Sequence, residues 1–193
     1  MPADETGAKE RIFQATLDLI TGGEDAAKIT LRRIAQKAGV NLALINYYYQ
    51  TKENLFSQVV GTMMDEIIKQ VSQAGAVNED AVTRLRGILL TTADAAFQYY
   101  NVCKIAIAAE LKQGCKNSCE MVMPLLKEIF GGRSESDLKI IALQLLLPFH
   151  HIVLEPELYN KCLDVDFFDE RQRAQKINRM IDCVLAGASK EAK

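Results

Sequence analysis

The side chains with the most chemistry to offer fall in two places. Between positions 30 and 52 stand Arg32, Arg33 and Lys52, with Asn46, Tyr47 and Tyr48 among them. Guanidinium, ammonium and phenol groups bind phosphate oxygens, and a side-chain amide can pair with the N6 and N7 edge of adenine. The second place holds Cys115, Cys119 and the adjacent His150 and His151, which could form a thiol switch or half of a metal site. That spacing is too loose for a metal motif and no other ligand cluster accompanies it. Unreactive cysteines and packing histidines are therefore expected, with no metal and no cofactor. No convergent acid, base and nucleophile is visible, so the chain does not read as an enzyme.

Composition narrows the setting. The 193 residues are 49% apolar and 25% charged, as in an ordinary globular protein. With a net charge of −2, any nucleic-acid surface must be a local patch on an acidic body. The five cysteines (103, 115, 119, 162 and 183) are odd in number and no secretory signal precedes them, which reads as a reduced, cytoplasmic protein. The apolar run "IIALQLLLPF" contains Gln144 and Pro148 and is shorter than the roughly 20 residues of a membrane span. No membrane partner is expected.

The elements that would position these groups are helices, because apolar residues recur with a period near 3.6 and strand alternation is missing. The fold class reads as all-α. Thr6 is a candidate cap for a first helix with Ile12, Ala15, Thr16, Leu19 and Ile20 on one stripe, stopped at Gly22 and Gly23. Thr30 caps a short second helix, stapled by Ile29 and Ile34 and ended by Gly39. Val40, Asn41 and Ile45 repeat the pattern as staple, cap and staple of a third helix reaching Tyr49. Two short helices joined by a tight Gly-containing turn make a helix-turn-helix. Thr51 caps a long fourth helix ending near Gly75, and Asn78 starts a fifth reaching about Asn101. Pieces over 102–113 and 118–130 follow, then a helix over 137–154, started by Ser134 or Ser136 and ended by Pro156. The last spans 167–186, opened by Asp166 and Asp169 and ended by Gly187.

Helical phase divides the third helix. With Ile45 inward, Tyr49 is inward too, and Leu42 and Tyr48 flank them; Ala43, Leu44, Asn46 and Tyr47 face out. That outer face carries no charge, although a merely solvated face would usually contain Lys or Glu. It suits the major groove, with Asn46 on adenine, Ala43 and Leu44 on thymine methyls and the Tyr47 hydroxyl on a phosphate. The alternative is that Leu44 and Tyr47 pack on a neighbouring helix. Arg32, Arg33 and Lys52 lie in first turns, where the helix dipole disfavours cations by about 0.3 to 1 kcal/mol. An anion would compensate, and helix starts bind phosphate through free backbone N–H groups.

The segment "ITLRRIAQKAGVNLALINYYYQTKENLF", with "RIFQATLDLITGGE" upstream, resembles the DNA-binding domain of TetR/AcrR-type transcriptional regulators over about residues 9–60. The hallmarks are Ala15, Leu19, Gly23, Thr30, Ile34, Ala35, Ala38, Gly39, Val40, Ile45, Tyr47, Tyr49, Lys52 and Leu55. Asn41 stands where the family more often has Ser, Tyr49 where it has Phe, and Asn46 where it has Tyr. Added to the phase and charge reading that gives Arg32, Arg33 and Asn46 their roles, the resemblance points to DNA contacts from Thr30, Arg32, Arg33, Asn41, Leu42, Ala43, Leu44, Asn46, Tyr47, Tyr48 and Lys52. It also implies a three-helix head over residues 1–55 and a ligand-binding and dimerisation body over 56–193, linked by the fourth helix as a lever.

Within that body, Met63, Met64, Ile67, Phe97, Tyr100, Cys103, Ile107, Met121, Met123 and Phe149 lie on helices that enclose a cavity in the family, and Glu110 and His150 are its candidate polar groups. Met and aromatic side chains suit an adaptable apolar pocket, and equally an ordinary core. Homodimerisation is expected through the last two long helices, where Leu138, Ile141, Ala142, Leu145, Leu146, Phe149 and Ile152 and then Ala174, Ile177, Ile181, Val184, Leu185 and Ala188 read as apolar surface. The function expected is a ligand-responsive repressor that binds double-stranded DNA at a pseudo-palindromic operator and is released by a small, largely apolar effector. An activator or redox-responsive variant of the same architecture is the alternative.

Overall fold

The computed structural model describes residues 3–23, 28–74 and 79–190. Ten helices lie in them, and no strand: α1 (Ala3–Thr21), α2 (Leu31–Ala38), α3 (Leu42–Tyr49), α4 (Lys52–Ala74), α5 (Ala81–Gln98), α6 (Tyr100–Lys112), α7 (Lys116–Ile129), α8 (Glu135–Leu154), α9 (Pro156–Leu163) and α10 (Glu170–Lys190). The chain is all-α, as its periodicity predicts.

Local chemistry fixes the helix-turn-helix. Thr30 Oγ1 accepts from the Arg33 N–H at 3.2 Å and so caps α2. At the far end Gly39 takes φ 63° and ψ 39°, while the Val40 N–H reaches back to the Ala35 carbonyl at 3.0 Å. This is the six-to-one closure of a helix end by a left-handed residue. Asn41 Oδ1 then accepts from the Ala43 N–H at 2.9 Å and opens α3. Only Gly39, Val40 and Asn41 separate the two helices, so the angle between them is set by one left-handed glycine and one cap.

The head packs around Ile12, Leu19 and Ile20 of α1, Ile34 and Ala38 of α2, Ile45 and Tyr49 of α3, and Leu55, Phe56 and Val59 of α4, with Ile29 beneath. The same buried cluster runs on into Phe97 of α5, Val102, Cys103 and Ala106 of α6, and Ile152 and Val153 of α8. A second cluster joins α5, α7, α8 and α10 through Leu85, Leu126, Leu138, Leu145, Ile177 and Ile181. Buried Arg173 ties the end of the chain to the body. Its Nη2 meets Asp94 Oδ1 at 2.6 Å, its Nη1 donates to the Phe167 carbonyl at 2.8 Å, and its guanidinium lies 5.0 Å from the Phe97 ring centroid.

Several boundaries differ from the sequence reading. Helix α1 begins upstream of Thr6, which lies inside it. The Gly75 and Asn78 boundaries fall outside the described residues, and Asp80 caps α5 by accepting from the Val82 and Thr83 N–H groups. A break at Tyr99 separates α5 from α6 with neither Gly nor Pro to announce it. Pro156 is the first residue of α9, so it starts a helix as well as ending one. Asp166 caps the Phe168 N–H and Asp169 the start of α10, which runs through Gly187 to Lys190. By length and composition α8 could cross a membrane, but its Leu138, Ile141, Ala142, Leu145 and Leu146 sit in the second core cluster. Those side chains and Ile177, Ile181 and Ala188 are therefore core and not the dimer surface the sequence suggested. The apolar residues of α8 that stay exposed are Ile140 at 53% and Leu147 at 41%.

Two glycine substitutions should have opposite signs. A Cβ at Gly61, inside α4, would meet open space, so Gly61→Ala should raise stability by about 0.5 to 1 kcal/mol. Gly39→Ala forces a Cβ into the left-handed region and should lower it by about 1 to 2 kcal/mol. Urea midpoints of the two variants check this, and a shift in the same direction for both would contradict it.

Candidate functional site

Helix α3 presents two distinct faces. Ile45 and Tyr49 are 1% and 2% exposed, and the Tyr49 hydroxyl donates to the Lys9 carbonyl at 3.3 Å, bolting α3 to α1. Burial raises the Tyr49 phenol above its ordinary value, with Glu10 adding to the effect, so it stays protonated. Ala43, Asn46 and Tyr47 are exposed, Tyr47 at 72%, while Leu42, Leu44 and Tyr48 are half-buried. Tyr47 leans edge-to-face on Tyr48 with ring centroids 5.2 Å apart. Arg32 and Arg33 are exposed on α2, and the Lys52 ammonium lies 5.0 Å from the Phe56 ring centroid. Thr30 and Asn41 spend their side-chain oxygens on caps, which makes them orienting residues.

The junction of α3 and α4 is a tight one. Gln50 adopts φ 64° and ψ −50° and the Thr51 N–H bonds the Tyr49 carbonyl at 2.7 Å, a three-residue turn with a positive central φ that non-glycine residues adopt at a cost. Thr51 Oγ1 then caps α4 through the Asn54 N–H at 3.1 Å. No slack separates the exposed face of α3 from the long α4.

The wall of a cavity of about 140 Å³ includes Ser57, Gly61 and Met64 of α4, and Cys103, Ile107 and Glu110 of α6. Met121 of α7 and Phe149 and His150 of α8 also line it. Of the twelve side chains singled out in the sequence, Met64, Cys103, Ile107, Glu110, Met121, Phe149 and His150 are there, and Met63, Ile67, Phe97, Tyr100 and Met123 are not. Phe97 and Tyr100 instead stack on each other with centroids 6.1 Å apart and meet Phe168 edge-on. Met123 packs in the second core cluster. Ser57, Gly61, Ile68, Asn117 and Ser118 are among the further wall residues that the sequence did not announce. Ser57, Gly61, Met64 and Ile68 follow helical spacing, and that face of α4 was the available signal.

A polar network forms one end of this cavity. Glu110 Oε2 accepts from Asn117 Nδ2 and Oε1 from the Ser118 N–H, both at 2.9 Å. His150 Nε2 lies 3.4 Å from Ser118 Oγ and Nδ1 lies 3.6 Å from Cys115 Sγ. One ring nitrogen donating and one accepting satisfies both contacts, so the neutral imidazole fits. Burial lowers the His150 pKa below its ordinary value, partly opposed by Glu110. Burial pushes the Cys103 thiol up to about 12 and raises those of Cys115 and Cys119, which keeps them as thiols. His151 points to the other side of α8, where Nδ1 is 3.1 Å from the Tyr159 hydroxyl. Among the described residues no group of three or more His, Cys, Asp or Glu is placed to share an ion.

The His150 geometry sets a pH dependence. Its folded pKa lies below its unfolded value of roughly 6.5, so the unfolded chain binds the extra proton first and stability falls as pH drops below that value, levelling once the folded form is protonated too. Thermal melts at pH 7.5 and 5.5 should show a smaller acid loss for His150→Asn than for the parent chain; equal losses would count against the buried neutral imidazole.

Comparison with known proteins places this architecture. Residues 12–59 match the family model described as bacterial regulatory proteins, tetR family. The nucleoid occlusion factor SlmA of Vibrio vulnificus is 22% identical over 85 residues, 44% of this chain and 43% of that protein. The aligned part thus spans less than half the length of these curated relatives. A TetR transcriptional regulator from Rhodococcus sp. RHA1 superposes with a TM-score of 0.67 at 15% identity, covering 95% of this chain and 97% of that one. The Thermus thermophilus FadR, a TetR-family transcriptional repressor in complex with lauroyl-CoA, gives 0.69 at 18% identity, covering 89% and 92%.

Proposed function

We propose that this chain, whose residues 12–59 match the tetR-family model, is a TetR-family repressor that grips a pseudo-palindromic operator as a homodimer. A small, largely apolar effector in the α4–α8 cavity releases it. The observation that carries this reading is the uncharged, exposed outer face of α3, with Tyr47 72% exposed beside buried Ile45 and Tyr49. Asn46 reads adenine, Ala43 and Leu44 meet thymine methyls, and Tyr47 holds a phosphate. Arg32, Arg33 and Lys52 supply charge at the starts of α2 and α4. Thr30 and Asn41 aim the two helices through their caps, and Leu42 and Tyr48 flank the contact. The head ends near residue 55, and the rest of the chain is the body.

The dimer interface in this reading is the outer side of α8 and α10. Ile140 and Leu147 lie seven residues apart on α8, and Cys183, Ala186 and Gly187 are small exposed residues on α10 that let a partner helix approach closely. Effector binding displaces α4, whose side chains wall the cavity, and the tight Gln50 turn passes the displacement to α3. The two recognition helices then no longer match successive major grooves.

Two outcomes are expected. In fluorescence anisotropy with a duplex from upstream of the chain's own gene, Tyr47→Ala should weaken binding about tenfold for all sequences, while Asn46→Ala should lose about 1 to 3 kcal/mol of preference at one base pair per half-site. Unchanged binding by Tyr47→Ala would remove the phosphate contact from the account. In analytical ultracentrifugation Leu147→Arg should shift the protein from dimer to monomer, and an unshifted dimer would place the interface elsewhere.

A further inference from the structure

The charge on the cavity wall points to the class of molecule that fills it. The titratable side chains that line it, apart from thiols, are Asp65, Glu110 and His150, with no Lys or Arg among them. Glu110 is only 8% exposed, and both groups that donate to it, the Asn117 amide and the Ser118 backbone N–H, are neutral. A carboxylate offers about four acceptor positions, so two remain for a ligand. A buried charge of this kind calls for a counter-charge or a full set of donors. Burial keeps His150 neutral near neutral pH, so the wall itself supplies no cation. The adjoining outer groove has Lys69, but also Asp65 and Glu120.

We propose that the cavity binds an amphiphilic cation, a protonated amine or a quaternary ammonium on an apolar body, with its charged head on Glu110 and its body against Met64, Ile107, Met121 and Phe149. This rests on the reading of the cavity as the effector site and adds the charge of the effector to it. Phe149 offers its ring to the head group or to the carbons beside it, and the two methionines adapt to the body. An anionic effector is disfavoured on the same ground. The acyl-CoA in the Thermus thermophilus structure carries several phosphates, and bringing such a head group to this wall would set like charges against Glu110 and Asp65.

Three probes of equal chain length separate the possibilities: octylamine, octanol and octanoate, titrated calorimetrically into the full chain at neutral pH. Octylamine should bind about tenfold or more tighter than octanoate. Glu110→Gln should remove most of that preference, and Gly61→Phe, which puts a ring into open space at the cavity wall, should weaken all the probes that bind. Octanoate binding as tightly as octylamine overturns the proposal and leaves the effector site standing, as does an amine preference that survives Glu110→Gln. If Glu110→Gln does not fold, the ranking on the parent chain decides. If no probe binds the parent chain, or Gly61→Phe binds all of them as the parent does, the effector-site reading falls and the proposal with it.

Discussion

Everything at the exposed face of α3 depends on the burial of Ile45 and Tyr49. Helix α3 has eight residues, too few to be stable alone in water, so its position comes from what it packs against. Those two side chains sit in the head core with Ile12, Ile34 and Phe56, and the Tyr49 hydroxyl adds a bond to α1. Anchoring on one side leaves Ala43, Asn46 and Tyr47 free on the other. The same anchoring makes α3 answer to α4, because the head core includes Leu55, Phe56 and Val59 and only the Gln50–Thr51 turn intervenes.

The body extends that constraint. Cys103 and Ala106 of α6 belong to the cluster that holds the head and also line the cavity, and Val60 of α4 does both as well. In the proposed reading, a molecule entering the cavity presses on side chains that belong to the same buried cluster as the head core. Close-packed interiors transmit such a shift because they have few alternative packings. In that reading the coupling needs no separate route, since the cavity wall and the head share α4.

Much of this was legible in the sequence wherever one residue type has one mechanical use. Thr30, Gly39, Asn41 and Thr51 announced their caps and turn through side-chain oxygens or a missing Cβ. The two faces of α3 followed from 100° per residue. Elements were missed where a signal has two meanings. Pro156 ends α8 and also begins α9, and Gly187 reads as a stop yet is tolerated inside α10 at about 1 kcal/mol. The sequence puts the break between α5 and α6 at about Asn101, and it falls at Tyr99, where no Gly or Pro marks it. It takes Phe97 and Tyr100 into an aromatic cluster with Phe168, so neither lines the cavity. Glu110 and His150 were legible as polar groups of the pocket, but not their link through Asn117 and Ser118, which only the packing of α6, α7 and α8 brings together.

The central claim is that the exposed face of α3 and the helix starts beside it hold duplex DNA. The direct measurement is the affinity of the full chain for a duplex from upstream of its own gene, between 50 and 200 mM salt. In the proposed dimer, phosphate contacts from both heads release counterions on binding, so log K against log salt should fall with a slope of about −4 or steeper. A slope near zero, or no binding at the lower salt, would contradict the account.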